Sequence, residues 1–213
     1  MTRPVLPPAI TADRLVAIAR GLDPVRLAAV IPALLSGGVR VVEITLDSPG
    51  ALESIATWSS PQGDGAAVIG AGTVLRLDEA VAAVAAGAHF LVAPHTDPEI
   101  IGWAAAHDVP FLAGGITPTE VVTAWNAGAA AVKVFPARIG GPDHLSDLRG
   151  PLGHIPLVPT GGVSADNAAA YLAAGAVAVG LGSWLTGADD IDEILRRAVA
   201  ATRVCRPDSP TQA

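Results

Sequence analysis

The chain of 213 residues contains a single lysine, Lys133, whereas it contains twelve arginines. Lys133 lies in the apolar segment Ala-Ala-Val-Lys-Val-Phe-Pro-Ala. If this segment is a β-strand, Val132 and Val134 share one face, and Lys133 lies on the opposite face with Ala131 and Phe135. An ammonium group among apolar neighbours is costly unless it is paired or neutralised, and a neutral amine is a nucleophile. Lys133 is therefore interpreted either as a covalent catalyst or as one half of a structural ion pair.

A carboxylate occupies a second apolar segment, Val-Val-Glu-Ile-Thr-Leu. In a strand, Glu43 shares a face with Val41 and Thr45, and the opposite face carries apolar side chains such as Ile44. If both segments belong to one barrel, Glu43 faces the same interior as Lys133. The carboxylate could then act as a general acid or base beside the amine. The alternative is a pair in which each side chain only neutralises the charge of the other.

Two glycine-containing turns follow the last two apolar segments of the chain. Pro-Thr-Gly-Gly-Val-Ser spans 159–164, and Gly-Leu-Gly-Ser spans 180–183. Glycine lets the backbone approach an anion closely, and backbone N–H groups after these two strands of a barrel often bind phosphate. Glycine also serves plain turns, but the presence of both turns at these two places favours a phosphate site.

Further polar residues end other apolar segments. Arg20 follows the first segment and could bind a carboxylate bidentately, although a solvated loop arginine is the alternative. Thr73, in Gly-Ala-Gly-Thr-Val, could place a hydroxyl at the mouth of a barrel, or it could cap a turn. His95 follows Pro94 after the fourth segment and is interpreted as a polar residue at the mouth. Trp184 follows the eighth segment and could line the rim of a pocket.

The elements that would position these residues alternate along the whole chain. Eight apolar segments alternate with eight helical patterns, at about 27 residues per unit, which is typical of a (β/α)8 TIM barrel. An open doubly wound sheet is the alternative, and the lack of a long insertion or an edge strand disfavours it. Strands are predicted at 15–19, 39–46, 67–71, 90–93, 110–113, 130–135, 156–159 and 176–180. Helices are predicted at 24–36, 49–58, 77–86, 98–107, 118–127, 142–148, 165–174 and 189–203.

Composition and charge set the broad class of the protein. A single barrel domain is predicted over 11–203, with Pro-rich, poorly ordered tails at 1–10 and 204–213. The formal net charge of −7 argues against nucleic acid or an anionic membrane as a partner. The one cysteine, Cys205, excludes an internal disulfide, and no Cys/His cluster predicts a metal site. Without a signal peptide or a long apolar stretch, the expected location is the cytoplasm.

Five motifs occur in this order: Val-Val-Glu-Ile-Thr-Leu, Gly-Ala-Gly-Thr-Val-Leu, Val-Lys-Val-Phe-Pro-Ala, Pro-Thr-Gly-Gly-Val-Ser and Gly-Leu-Gly-Ser-Trp-Leu. Together they resemble the 2-keto-3-deoxy-6-phosphogluconate aldolase / 4-hydroxy-2-oxoglutarate aldolase family, over residues 12–187. The resemblance implies a class I aldolase that cleaves a 2-keto-3-deoxy (phospho) sugar acid to pyruvate and an aldehyde such as glyceraldehyde 3-phosphate. It also implies a TIM barrel, a homotrimer, and catalysis through a Schiff base without a metal or another cofactor.

The resemblance also implies roles for individual residues. Lys133 is expected to form the Schiff base, Glu43 to act as the general acid/base, and Phe135 to flank the iminium. Thr73 is expected near the bound pyruvoyl group. The residues expected to bind substrate are Arg20, Thr73, Pro94, Phe135, Thr160, Gly161, Gly162, Gly182 and Ser183, of which the last five would hold the phosphate.

The sequence departs from the family pattern at two places. Asp47, in Thr-Leu-Asp-Ser-Pro, stands where gluconate-type members often carry a carboxylate-binding arginine. This run is more similar to Leu-Asn-Ser-Pro of the 2-dehydro-3-deoxy-6-phosphogalactonate branch, which also carries an arginine where Arg20 stands. Ala113 replaces a usual proline, and the Thr-Gly-Gly and Gly-Ser-Trp-Leu runs are more gluconate-like. The configuration of the sugar and the need for a phosphate therefore stay open.

Two other classes of protein share the glycine turns. A metal-free phosphate-binding barrel, such as an isomerase, an epimerase or a transferase similar to thiamine phosphate synthase, would not require an inward lysine on the sixth strand. A non-enzymatic sensor of sugar phosphates would bind its ligand without cleaving it. Release of pyruvate from a 2-keto-3-deoxy sugar acid would exclude the sensor.

Overall fold

Eight parallel strands form the centre of the computed structural model, which describes residues 3–60 and 67–206. The strands in these residues are β1 Leu15–Ala19, β2 Val41–Thr45, β3 Val68–Gly72, β4 Phe90–Val92, β5 Phe111–Gly115, β6 Ala131–Val134, β7 Leu157–Pro159 and β8 Val179–Leu181. Their hydrogen-bonded order is β7-β6-β5-β4-β3-β2-β1-β8, and a bridge between Thr160 and Gly180 joins the two ends of the sheet. This arrangement confirms the predicted (β/α)8 barrel.

Helices lie before, between and after the strands. They are α1 Pro8–Asp13, α2 Pro24–Ser36, α3 Ala51–Ser59, α4 Leu77–Ala85, α5 Pro98–Ala106, α6 Pro118–Ala127, α7 Gly141–Leu152, α8 Ala165–Ala173, α9 Ser183–Thr186 and α10 Ile191–Cys205, with a short 3₁₀ turn at Ala137–Ile139. Helices α2 to α8 connect consecutive strands around the barrel, α1 precedes β1, and α9 and α10 follow β8. Side chains of Asp97, Thr117 and Ser164 accept hydrogen bonds from the first turns of α5, α6 and α8. None of the described helices is both long and apolar enough to cross a membrane.

The apolar core has two layers, separated by the strands. Val42, Ile44, Val132 and Val134 pack in the outer layer, between the barrel and its helices. The inner layer fills the barrel and includes Val16, Val41, Phe90, Val92, Leu112, Ala131, Val158 and Ala178. This division follows the alternation of side chains along each strand, and it confirms the faces predicted for β2 and β6.

The N-terminal segment departs from the predicted tail. Helix α1 begins at Pro8, inside the stretch up to residue 10 that was predicted as a tail. Ile10 is fully buried, Leu6 is nearly so, and both join the inner layer of the core. The physical reason is that these apolar side chains cover the end of the barrel at which the strands begin.

The C-terminal boundary differs in the same direction. Helix α10 continues to Cys205, two residues past the predicted end at 203, and Cys205 is buried in the outer layer. The helix is longer because Cys205 still packs its side chain into the outer layer. The remainder of the predicted C-terminal tail, 207–213, lies outside the described residues.

Candidate active site

A cavity of about 530 Å³ opens where the strands end. Its walls come from residues near or just after the ends of strands β1, β3, β4, β6, β7 and β8: Ile18, Arg20, Thr73, Pro94, Lys133, Phe135, Arg138, Thr160, Gly161, Gly162, Val163, Ser164, Gly182, Ser183, Trp184, Thr186 and Gly187. Reactive groups of TIM barrels collect at this end because loops of different strands converge there. The cavity is therefore the candidate active site.

Lys133 and Glu43 meet inside the barrel beneath this cavity. The Lys133 Nζ atom lies 3.5 Å from Glu43 Oε1, and the two side chains are only 4% and 3% exposed. They come from β6 and β2, which are four strands apart in the sheet and therefore face each other across the barrel. Because the amine also lines the cavity, it can reach a ligand bound there. This placement agrees with the interior positions predicted for both side chains.

The strand beside β2 leaves room for the carboxylate. A β-carbon on Gly72, the last residue of β3, would overlap the carboxylate of Glu43. Any larger residue at this position would push the carboxylate from its place beside Lys133. The glycine in Gly-Ala-Gly-Thr therefore has a steric role in the site.

An aromatic ring lies on the cavity side of the lysine. The Lys133 Nζ atom is 5.5 Å from the centre of the Phe135 ring. A β-carbon on Gly161 would lie 3.1 Å from the same ring, so the first glycine turn packs closely against Phe135. The ring thus lies near the amine, contacts the glycine turn and gives the cavity an apolar wall.

Arg20, Asp47 and Thr73 form a hydrogen-bonded group at the rim. One guanidinium nitrogen of Arg20 donates to Asp47 Oδ2 at 2.8 Å, and the other donates to Thr73 Oγ1 at 2.9 Å. Asp47 thus pairs with the arginine that directly follows β1. The adjacent Ser48 accepts a hydrogen bond from the Gly21 N–H at 2.8 Å, which holds the β1 and β2 loops together. Both charged side chains are about half exposed, so Arg20 can still meet a ligand.

The two glycine turns face each other at the ends of β7 and β8. Gly161 and Gly162 have φ angles of 91° and 87°, in the left-handed region that favours glycine. Thr160 bridges to Gly180 and is almost fully buried, which fixes the start of the first turn beside β8. Gly182 and Ser183 then open α9 against the same cavity. Residues of both turns are thereby brought to the same cavity.

All nine residues predicted to bind substrate line this single cavity, as Lys133 does. Their individual roles stay predictions. Trp184 also lines it, as expected for a residue at the rim. His95 is not among the lining residues; its Nδ1 atom is buried without a hydrogen-bond partner in the described part of the chain, and its backbone carbonyl accepts from the Gly114 N–H.

Sequence analysis missed several lining residues, of which Arg138 carries a charge. Its position three residues after Phe135 places it in the loop that leaves β6, and this spacing was the only available signal. Ile18 also lines the cavity without having been predicted, whereas Val163 and Ser164 line it as part of the predicted glycine turn at 159–164. In the described ranges, no three His, Cys, Asp or Glu side chains are grouped as a metal ion would require.

Comparison with known proteins identifies the family. A family model described as "KDPG and KHG aldolase" matches residues 9–199. A 2-dehydro-3-deoxy-phosphogluconate aldolase of Treponema pallidum (strain Nichols) is 38% identical over 160 residues, which cover 75% of each chain. A 2-dehydro-3-deoxy-6-phosphogalactonate aldolase of Escherichia coli (strain K12) is 35% identical over 194 residues, which cover 90% of this chain and 94% of that protein.

A solved structure agrees with these matches. It is a KDPG aldolase from Legionella pneumophila with pyruvate captured at low pH as a covalent carbinolamine intermediate. The TM-score is 0.79 at 27% identity, and the match covers 92% of this chain and 94% of that one. The match of the family model extends over most of the barrel and includes both Lys133 and Glu43. The chain therefore belongs to the KDPG and KHG aldolase family and is an aldolase, an enzyme of the lyase class.

Proposed function

We propose that the protein is a class I aldolase that cleaves a 2-keto-3-deoxy-6-phosphohexonate to pyruvate and glyceraldehyde 3-phosphate. The observation that carries this proposal is the buried pair of Lys133 and Glu43, whose amine opens into a cavity rimmed by two glycine turns. The amine supplies a nucleophile, the carboxylate a proton acceptor, and the turns a set of backbone donors for an anion.

The first step joins the enzyme to the substrate. The neutral amine of Lys133 attacks the C2 ketone and forms a carbinolamine, which loses water to give a protonated imine. The positive charge of the imine withdraws electrons from C3, so no added cofactor is needed to polarise the ketone. In support of this step, Lys133 lines the cavity, where the ketone of a bound substrate can reach its side chain.

The second step breaks the C3–C4 bond. Glu43, directly or through a water, accepts the proton of the C4 hydroxyl while the bond electrons move into the imine and form an enamine. The aldehyde that leaves carries the phosphate group of the substrate. The enamine then takes a proton at C3, and water hydrolyses the resulting imine to pyruvate and the free amine of Lys133.

Two ends of the substrate would be held by different parts of the rim. We assign the phosphate to the turns of Thr160, Gly161, Gly162, Gly182 and Ser183 and the carboxylate to Arg20 and Thr73. In support, both sets line the cavity that contains Lys133. Asp47 would then orient the Arg20 guanidinium through the hydrogen bond at 2.8 Å.

The configuration at C4 separates the gluconate-type from the galactonate-type substrate. The matched relatives carry names of both types. Turnover of the two phosphorylated acids, and of their unphosphorylated forms, measured side by side as pyruvate release, identifies the substrate. We also propose a cytoplasmic homotrimer, because the motif resemblance implies one; the mass in solution from light scattering tests it.

Trapping with borohydride tests the covalent step. Wild-type protein incubated with pyruvate and borohydride should gain the mass of a reduced pyruvyl adduct, and peptide mapping should place it on Lys133. The variant Lys133→Arg keeps the positive charge but cannot form the imine, so it should gain no adduct. Equal labelling of the two proteins would refute the Schiff-base mechanism.

A further inference from the structure

The charged side chains that line the cavity are unequally paired. Among the described residues they are Arg20, Lys133 and Arg138, and no Asp or Glu lines the cavity with them. Arg20 binds Asp47, and Lys133 lies beside Glu43. The guanidinium of Arg138, in contrast, has no ion pair or hydrogen bond with any described residue. It is an exposed cation that is available to a ligand.

Arg138 is held against the first glycine turn. Its backbone N–H donates to the Gly161 carbonyl at 3.0 Å, and the N–H of Ala137 donates to the Thr160 carbonyl at 2.8 Å. A β-carbon on Gly162 would lie 2.6 Å from the Arg138 β-carbon and 3.3 Å from its δ-carbon. The stem of the arginine therefore packs over the glycine, which places its charged end at the wall of the cavity formed by this turn.

We propose that Arg138 binds the terminal phosphate of the substrate together with the two glycine turns, and that it thereby selects phosphorylated over unphosphorylated sugar acids. This inference rests on the proposed aldolase function. Backbone N–H and hydroxyl groups donate hydrogen bonds but carry no net charge, whereas a phosphate monoester carries nearly two negative charges at neutral pH. A guanidinium matches two phosphate oxygens at once, so Arg138 supplies both the missing charge and a directional contact.

The test compares kcat/KM for a 2-keto-3-deoxy-6-phosphohexonate with kcat/KM for the same acid without its phosphate. We expect Arg138→Ala to lower the ratio of these two values by on the order of ten-fold, chiefly by raising KM for the phosphorylated acid. Arg138→Lys should lower the ratio less than Arg138→Ala, because lysine keeps the positive charge. It should still lower the ratio, because lysine lacks the forked pair of donors of a guanidinium. The matched control is Arg203→Ala, which removes an exposed arginine near the far end of α10 and should keep the wild-type ratio.

Inorganic phosphate probes the same contact without turnover. A ligand that binds the folded protein raises its melting temperature by mass action, so phosphate should stabilise the wild-type protein relative to chloride at equal ionic strength. The stabilisation should shrink in Arg138→Ala and persist in Arg203→Ala. An equal shift in all three proteins would contradict the proposed contact.

The two measurements separate this inference from the function on which it rests. If the protein cleaves the phosphorylated acid and Arg138→Ala leaves the ratio unchanged, or lowers both kcat/KM values equally, the role of Arg138 is refuted and the aldolase stands. If neither acid is cleaved but stabilisation by phosphate depends on Arg138, the aldolase proposal fails and the anion site stands. If neither acid is cleaved and the stabilisation by phosphate does not depend on Arg138, both the aldolase proposal and the role of Arg138 are refuted.

Discussion

Lys133 and Glu43 differ in what each can contribute, although they form one pair. The Lys133 Nζ and Glu43 Oε1 atoms are 3.5 Å apart, at the long end of the hydrogen-bond range, so neither side chain is locked to the other. The amine can bond to a substrate carbon while the carboxylate exchanges a proton with the substrate directly or through a water. If the pair only neutralised charge, replacing Glu43 would impair imine formation and bond cleavage together. A substitution of Glu43 therefore distinguishes a catalytic role from a purely structural one.

We expect Glu43→Gln to lower aldol cleavage by on the order of 10²–10⁴-fold, because an amide cannot accept the proton of the C4 hydroxyl. Borohydride trapping of pyruvate should continue, since Lys133 still forms the imine. Pyruvate release measures cleavage, and mass spectrometry measures trapping. The control Glu53→Gln changes an exposed glutamate of α3 and should match the wild type in both assays. Equal loss of cleavage and trapping in Glu43→Gln would mean that Glu43 only holds Lys133 in place.

At the scale of the elements, the end of β3 is shaped around the carboxylate of β2. The register pairs Gly70 with Glu43 and Gly72 with Thr45. Gly72 lies two residues further along the same face as Gly70, and it leaves the space that the Glu43 side chain occupies. The strand pair thus fixes the position of the carboxylate through the lack of a side chain on the neighbouring strand.

Replacing Gly72 should displace the Glu43 carboxylate and so impair its function without changing Glu43 itself. In Gly72→Ala, the new β-carbon overlaps the carboxylate, and the strand backbone cannot move away because both neighbouring strands hydrogen-bond to it. We expect a loss of cleavage approaching that of Glu43→Gln, with trapping of pyruvate retained. Pyruvate release and borohydride trapping measure the two, and circular dichroism checks that the barrel is folded.

The control for this prediction is Gly102→Ala in α5. A β-carbon there meets no atom within 4 Å, and alanine in a helix interior is more stable than glycine by about 0.5–1 kcal/mol. This variant should keep wild-type activity and melt at a slightly higher temperature. Wild-type cleavage by Gly72→Ala would show that the carboxylate works equally well from a displaced position.

At the scale of the whole molecule, Asp13 joins α1 to the segments that precede β2 and follow α10. Its buried carboxylate, only 4% exposed, accepts from Arg40, which precedes β2, and from Arg206, which follows α10. The Arg40 Nε atom lies 2.8 Å from Asp13 Oδ2, and the Arg206 Nε atom lies 3.2 Å from Asp13 Oδ1. These contacts hold α1, with its buried Ile10, over the end of the barrel that lies opposite the cavity.

We expect Asp13→Ala to lower the free energy of unfolding by about 1–3 kcal/mol, because charge-assisted hydrogen bonds are lost while both arginines keep access to water. Denaturant titration measures the change. The control Asp147→Ala removes an exposed aspartate of α7 and should change stability by less than about 0.5 kcal/mol. Trapping of pyruvate by Asp13→Ala below its melting temperature should resemble that of the wild type. A stability equal to that of the control would show that the arginine contacts do not stabilise the fold.

Much of the barrel and of its interior could be predicted from the sequence because both depend on local patterns. Period-two alternation assigns Glu43 and Lys133 to the inner faces of β2 and β6, and the outer layer confirms the valines on the opposite faces. The glycine turns after β7 and β8 are visible as dipeptides at the ends of apolar segments. Strand boundaries differ from the prediction: β2 is Val41–Thr45 where 39–46 was predicted, because strand ends depend on neighbouring strands.

The contacts that required the three-dimensional structure join segments distant in the chain. Helix α1 is hidden in a Pro-rich stretch, and only the open end of the barrel explains the burial of Ile10. Asp47 was predicted as the residue that replaces an arginine, and its pairing with Arg20 depends on how two loops meet. The sequence by itself determined which side chains face inward, since backbone geometry imposes that alternation along each strand. Tertiary structure alone decided that Arg138 lies over Gly162 and that Glu43 fits beside Gly72, because such packing depends on the curvature that closes the sheet.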